Sequence, residues 1–290
     1  MFGEAIEKAS QFTHPVIIST RTFNKTVNCA CGAFIVLNNE GWIMTVAHLW
    51  QSSQQMLNDK KEIDEYKEQA DKIEQNTSLK GNIKKNKIRK LKTNPNWITN
   101  HSFWWGGNLH RLINVKIFHE ADLAIGKLEP FDPSWIKTYP IIKNPDEMKI
   151  GTFLCKLGYP FHTINATYDE EKDSFQLASD ALPLPRFPIE GIYTRDNIVN
   201  FSDSGKTVKF LETSSPGLRG QSGGPIFDKD GSVWAIQSHT RHLPLGFSPK
   251  IKISGKETEE NQFINIGLGV HAEIIIPFLE SNGIKFQRST

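Results

Sequence analysis

Residues 32–48 constrain the fold most. Gly32-Ala33-Phe34-Ile35-Val36-Leu37 is an apolar run, Asn38-Asn39-Glu40-Gly41 carries turn-forming side chains, and Trp42-Ile43-Met44-Thr45-Val46-Ala47 is a second apolar run that ends at His48. This pattern predicts a hairpin whose return strand is buried and delivers an imidazole at its end. A chain of 290 residues can bury a full core, as one large domain or two lobes. Its 18 Phe and 7 Trp supply large apolar groups, while 21 Gly and 15 Pro suit a loop-rich β protein.

More strands follow on the same grounds. His14–Thr20, Leu112–Ile117, Phe187–Tyr193, Thr207–Thr213 and Ser232–Ile236 read as strands, and the stretch from Thr163 to Asp180 as a long polar loop. Residues 4–12 read as a short amphipathic helix and Ala272–Glu280 as a closing helix, with Pro277 kinking or shortening it. Glu129-Pro130-Phe131-Asp132-Pro133 is the expected crossing between lobes.

The first eight residues include acids and no sustained apolar stretch, so they do not read as a secretory signal, and no run of 18 apolar residues follows. The expectation is a soluble, cytoplasmic protein with no membrane contact. Cys29, Cys31 and Cys155 cannot all pair within one chain. The spacing of Cys29 and Cys31 puts both side chains on one strand face, and a metal site would need more ligands, so buried free thiols are expected and neither metal nor cofactor is called for.

The string with chemistry in it is Gly220-Gln221-Ser222-Gly223-Gly224-Pro225. A serine between glycines presents a small hydroxyl on a tight turn, and the glycine two residues upstream leaves its N–H free for a developing oxyanion. Such a turn needs a base and an orienting acid from elsewhere.

With Thr45-Val46-Ala47-His48 behind a Gly-x-Phe-Ile strand and a turn, the chain resembles the histidine segment of the trypsin-like serine proteases, and Gly220–Pro225 resembles their serine segment. Phe118-His119-Glu120-Ala121-Asp122-Leu123-Ala124-Ile125 stands in the order that family requires for the acid. Strand alternation does not choose between Glu120 and Asp122, because residues two apart share a face. The family pattern, Asp followed by Leu/Ile-Ala-x-Leu/Ile, selects Asp122, because the residues after it are the apolar ones that would bury it. Met148–Pro160 is similar to the strand that opens the second barrel in the bacterial Deg/HtrA-like and glutamyl-endopeptidase-like branches, although no C-terminal peptide-binding module is expected.

The resemblance implies a mainly β fold of two six-stranded antiparallel β-barrels, the first about 13–130 and the second about 140–290. It also implies His48, Asp122 and Ser222 as catalytic residues, and the N–H groups of Gly220 and Ser222 as the oxyanion hole. Pro216, Gly217, Gln237, Ser238, His239 and Thr240 would bind substrate, with Ser238 bracing the acid and Ser238–Thr240 pairing with substrate backbone. Pro216 falls where enzymes that cut after Arg or Lys carry an acid, so basic residues are disfavoured; Gln237, His239, Arg241 and His242 suit a polar or acidic one. Gln221 departs from the family. The secreted members carry there an Asp that pairs with a newly cut N-terminus, so activation by that ion pair is not expected.

Residues 51–94 exceed the family pattern. Met56, Ile63, Tyr66, Ala70 and Ile73 form a helical stripe amid charges, Asn76-Thr77-Ser78 breaks it, and Lys80–Lys92 is strongly basic. A helical hairpin, or a helix with a basic tail, is expected to project from the first lobe. It reads either as a solvated pair with complementary arms or as a docking site for a regulatory protein. The basic arm lacks interleaved aromatics and the net charge is only +2, so nucleic acid is not an expected partner. The expected function is an intracellular, regulated serine endopeptidase acting on protein or peptide, with a catalytically inactive binding module as the alternative.

Overall fold

The computed structural model describes residues 2–107, 110–253 and 255–290. The chain opens with helix α1 (Gly3–Phe12), whose Ala5, Ala9 and Phe12 are buried. A first group of strands follows: β1 (Thr13–Thr22), β2 (Val27–Val36), β3 (Trp42–Thr45), β4 (Ile98–Trp105), β5 (Arg111–Phe118) and β6 (Leu123–Glu129). They form one sheet in the order β4-β1-β2-β3-β6-β5, and a bridge between Trp105 and His110 joins its two edges. The hairpin predicted over residues 32–47 is β2–β3, with Ile35 opposite Met44.

The second lobe contains β7 (Ile141–Ile142), β8 (Phe153–Gly158), β9 (Ala166–Asp169), β10 (Ser174–Leu177), β11 (Phe187–Phe201) and β12 (Lys206–Thr213). It continues with β13 (Pro225–Phe227), β14 (Val233–Pro244), β15 (Lys250–Ile253), β16 (Lys256–Glu259), β17 (Phe263–His271) and β18 (Gln287–Arg288). Six of these close on themselves in the order β13-β8-β11-β12-β17-β14, since β13 also pairs with β14. These are the six strands expected of the barrel, and the sheet extends beyond them because β7 pairs in parallel with β14 and β18 in parallel with β7. The region read as a long polar loop contains the hairpin β9–β10, in which Phe175 turns inward.

The C-terminal helix α4 (Ala272–Ser281) runs through Pro277. It packs on the second lobe, and its Phe278 meets Phe118 of the first lobe with ring centroids 5.7 Å apart. Asn38, in the turn of the first hairpin, donates to the Lys285 carbonyl at 2.8 Å, so the chain end ties the lobes together.

The insertion forms α2 (Gln51–Glu74) and α3 (Gly81–Arg89), with the break where Asn76–Ser78 place it. The stripe faces inward: Ile63 is buried, and Met56, Tyr66, Ala70 and Ile73 are half-buried. Contrary to the projecting arm expected, α2 lies along β4. Asp59, 5% exposed, accepts the Ile98 N–H at 2.7 Å, Glu62 accepts from the Trp97 indole at 2.8 Å, and Tyr66 meets Phe23 edge-on. A buried carboxylate on a helix is tolerated because a strand N–H at the sheet edge needs an acceptor there. Helix α3 buries no residue, and among the described residues no ion pair joins it to α2. Among the described residues no helix is long and apolar enough to cross a membrane.

Candidate active site

The site lies on the seam between the lobes, and the chain builds it from both sides. Strand β3 ends at Thr45, and a short 3₁₀ turn over Ala47–Trp50 then swings His48 out of the sheet. Asp122 sits just before β6 with a left-handed φ of 52°, an uncommon conformation for a residue with a side chain. Local bonds hold it there: its N–H donates to the His119 carbonyl at 3.0 Å and its carbonyl accepts from Ala47 at 3.2 Å. Such conformations are kept where surrounding structure over-determines them.

Nδ1 of His48 lies 2.8 Å from Oδ2 of Asp122, whose Oδ1 accepts the His48 backbone N–H at 2.8 Å. The hydroxyl of Ser238, 3% exposed on β14, donates to the same Oδ2. Burial pushes the Asp122 carboxyl up, but the His48 ring, its charge and the Ser238 hydroxyl together outweigh it and hold the group below the ordinary Asp value. Glu120, the competing acid, points to Lys206 instead, at 3.0 Å.

Ser222 occupies the turn before β13. Its carbonyl accepts the Ala33 N–H of β2 at 2.7 Å, which docks the turn of one lobe on the sheet of the other. Its hydroxyl donates to the Ser238 carbonyl at 3.5 Å. His48 and Ser222 line one cleft of about 580 Å³, with Cys29, Cys31, Gln51, Ser52, Tyr159 and Phe161 among its other walls.

The glycines around Ser222 are dictated by close approach. Gly220 has φ +97°, and a Cβ there would lie 2.3 Å from the Tyr159 carbonyl oxygen. Gly223 has φ +86°, and a Cβ there would lie 2.0 Å from the Ala33 oxygen. No real Cβ tolerates such contacts, so the sequence must leave these positions bare. The N–H groups of Gly220 and Ser222 have no acceptor among the described residues. Gln221 is fully buried; its side chain accepts from the Leu218 N–H at 3.0 Å and donates to the Phe187 carbonyl at 3.3 Å.

Pro216-Gly217 and Gln237–Thr240, two segments apart in sequence, line a single pocket of about 410 Å³ that also reaches Ser222. Thr240 donates to the Gly217 carbonyl at 2.6 Å and closes one side. Gln237, 1% exposed, donates to the carbonyls of His239 and Leu268 at 3.1 and 3.2 Å. His239 and Thr240 pair with β17 only, after a register break at Ser238, so their outer edge is open. Arg241, expected at the rim, is not among the lining residues, whereas His242 is.

Sequence reasoning passed over Lys156. It is 1% exposed in the middle of β8, and its ammonium donates to Thr213 Oγ1 at 2.9 Å and to the carbonyls of Ser215 and Pro216 at 2.5 and 2.9 Å. Burial pushes it down to about 7, while the three acceptor oxygens around Nζ favour the charged form. The signal was present: a lysine interrupts the apolar run Phe153-Leu154-Cys155-Lys156-Leu157. The thiols of Cys31 and Cys155 are pushed up to about 12 by burial, which makes both poor nucleophiles.

Among solved structures, the HtrA-type protease AlgW with a tripeptide is 12% identical, with a TM-score of 0.50; the match covers 97% of this chain and 63% of that one. The chain thus corresponds to about three-fifths of that protein's length. The Rv3671c protease from M. tuberculosis, in its active form, is 13% identical with a TM-score of 0.48, covering 98% and 86%. No curated protein sequence matches significantly. The sequence model for the trypsin-like peptidase domain matches residues 32–236, from the Gly32 strand that carries the chain toward His48 to the Ile236 end of the strand that backs Ser222, and the chain belongs to that family.

Proposed function

We propose that this protein is a serine endopeptidase. The observation that carries the reading is the bidentate grip of Asp122 on His48 beside Ser222, in one cleft between two lobes. In this reading the Ser222 oxygen attacks the peptide carbonyl carbon while His48 Nε2 takes the hydroxyl proton. The tetrahedral intermediate collapses as the imidazolium gives that proton to the leaving amine, and water then cleaves the acyl-enzyme by the same relay. Asp122 keeps the proton on Nδ1, so that Nε2 is the free base. The N–H groups of Gly220 and Ser222 stabilise the oxyanion, each by about 3 kcal/mol on the general scale of such donors.

The pocket beside Ser222 receives the side chain before the cut. Pro216 supplies no acid there, and the Lys156 ammonium donates to the Pro216 carbonyl, so a basic side chain is disfavoured and a polar or acidic one preferred. Profiling a peptide library tests this; dominance of Arg or Lys before the cut would refute it. We read the enzyme as intracellular, with its thiols unpaired, and α2–α3 as its docking arm for a regulatory protein.

Labelling with a fluorophosphonate probe tests the chemistry. The wild-type protein reacts, and Ser222→Ala and His48→Ala do not. A second reading, a protease fold kept as a binding module, draws on the Ser222 hydroxyl being directed to the Ser238 carbonyl rather than to His48. A wild-type protein that stays unlabelled while binding peptides would favour it.

A further inference from the structure

The proposed reaction requires the loop between β12 and Ser222 to hold its shape, and Gln221 supplies no charge for an activating ion pair. Its amide instead bonds within the loop and to Phe187, which secures the loop's far end. The near end is secured by a group that the Ser-His-Asp chemistry does not use. Lys156 meets the oxygens of Thr213, Ser215 and Pro216 with its ammonium, three donors against three acceptors. Space for it is reserved on the facing strand: a Cβ on Gly267 would lie 2.6 Å from Nζ.

The same strand follows the rest of the loop. A Cβ on Gly158 would come within 2.6 Å of the Gln221 Cα, and the Tyr159 N–H donates to the Gly220 carbonyl at 2.8 Å. A Cβ on Gly224 would lie 2.1 Å from the Leu157 oxygen. Consecutive residues of β8 and its extension therefore run beneath the loop from the pocket floor at Pro216 to the nucleophile turn.

We propose that Lys156 is a positioning residue whose buried ammonium pins Ser215 and Pro216, so that the pocket floor and the Gly220 N–H are set without an N-terminal ion pair. This rests on the reading of Ser222 as nucleophile. The Ser215 carbonyl also accepts the Gly267 N–H at 2.8 Å and the Thr213 hydroxyl at 3.1 Å, so the bond that Lys156 adds to the loop beyond these is the one to the Pro216 carbonyl. What an ammonium does, and a methyl group does not, is bind three oxygens at once.

The test compares the full chain with Lys156→Met and Thr213→Val. For Lys156→Met, which leaves the Pro216 carbonyl without its donor, we expect a lowered melting temperature, fluorophosphonate labelling and peptide kcat/KM reduced by about tenfold or more, and faster amide hydrogen exchange confined to residues 214–221. Thr213→Val removes one of the three oxygens and shifts the same readouts in the same direction by less. Wild-type labelling and wild-type exchange in Lys156→Met overturn the proposal. If Lys156→Met does not fold, wild-type exchange and labelling in Thr213→Val overturn it. If the wild-type protein neither labels nor cleaves any peptide, the protease reading fails. The exchange comparison then still decides whether Lys156 orders the loop, and unchanged exchange overturns that too.

Discussion

Asp122 binds His48 twice, with Oδ2 at 2.8 Å from the ring Nδ1 and Oδ1 at 2.8 Å from the backbone nitrogen. The second bond fixes the carboxylate to the main chain of the residue it orients, so ring rotation alone does not dissolve the pair. Asp122→Asn keeps the size and an acceptor but presents an amide that favours the wrong imidazole tautomer. We expect kcat to fall on the order of 10⁴-fold with little change in melting temperature. A loss below about tenfold in steady-state peptide hydrolysis would remove Asp122 from the role.

Gly223 and Gly205 separate steric clash from backbone strain. Both have positive φ, +86° and +65°, but a Cβ on Gly223 meets the Ala33 oxygen at 2.0 Å whereas one on Gly205 meets nothing within 4 Å. Gly205→Ala therefore costs about 1 kcal/mol, the general penalty of a side chain in the left-handed region. Gly223→Ala also pushes the lobes apart and costs about 4 kcal/mol or more. Urea denaturation measures both, and equal costs would contradict the close seam.

His271 caps α4 by accepting the Glu273 N–H at its Nδ1, 3.0 Å away, and is 3% exposed. Burial lowers it from 6.5 to about 4, and burial lowers His14 likewise to about 4. Between these values the unfolded chain takes up protons that the native one refuses. The stability these histidines contribute is thus complete above pH 6.5 and is lost as pH falls toward 4. For His271 that is roughly 3 kcal/mol. His271→Asn keeps a capping acceptor and removes the titration, so its urea midpoint should depend less on pH across this window; an unchanged dependence counts against the assignment.

Asp59 anchors the insertion through the Ile98 N–H. In Asp59→Ala that donor and the Gln55 amide both lose their acceptor. The expected cost is about 1–3 kcal/mol, read as faster hydrogen exchange over α2 with the second lobe unaffected. Exchange that rises throughout the chain would show the insertion to be part of the global core instead.

How much was legible in the sequence varied with the range of the interaction. The β2–β3 hairpin, the helical stripe of α2 and the break at Asn76–Ser78 are local patterns, and each is found in place. Between Glu120 and Asp122, alternation could not choose, because residues two apart on a strand share a face; both in fact belong to the turn before β6, and the His119–Asp122 bond helps set which one faces His48. The hairpin β9–β10 was missed because its one inward aromatic, Phe175, is set among polar residues. The docking of α2 was missed because its anchors are a carboxylate and a strand N–H, which sequence reads as surface.

The sequence by itself determined the family resemblance and the order of His48, Asp122 and Ser222, since these depend on short motifs and short-range periodicity. Only the tertiary structure decided that Pro216-Gly217 and Gln237–Thr240 share one pocket, that Asp59 fastens the insertion, and that Lys156 bonds to the Pro216 carbonyl. Each of those depends on desolvation by segments remote along the chain. A lysine among apolar neighbours is an anomaly in the sequence; three oxygens brought in from other strands and loops turn it into a bonded ammonium.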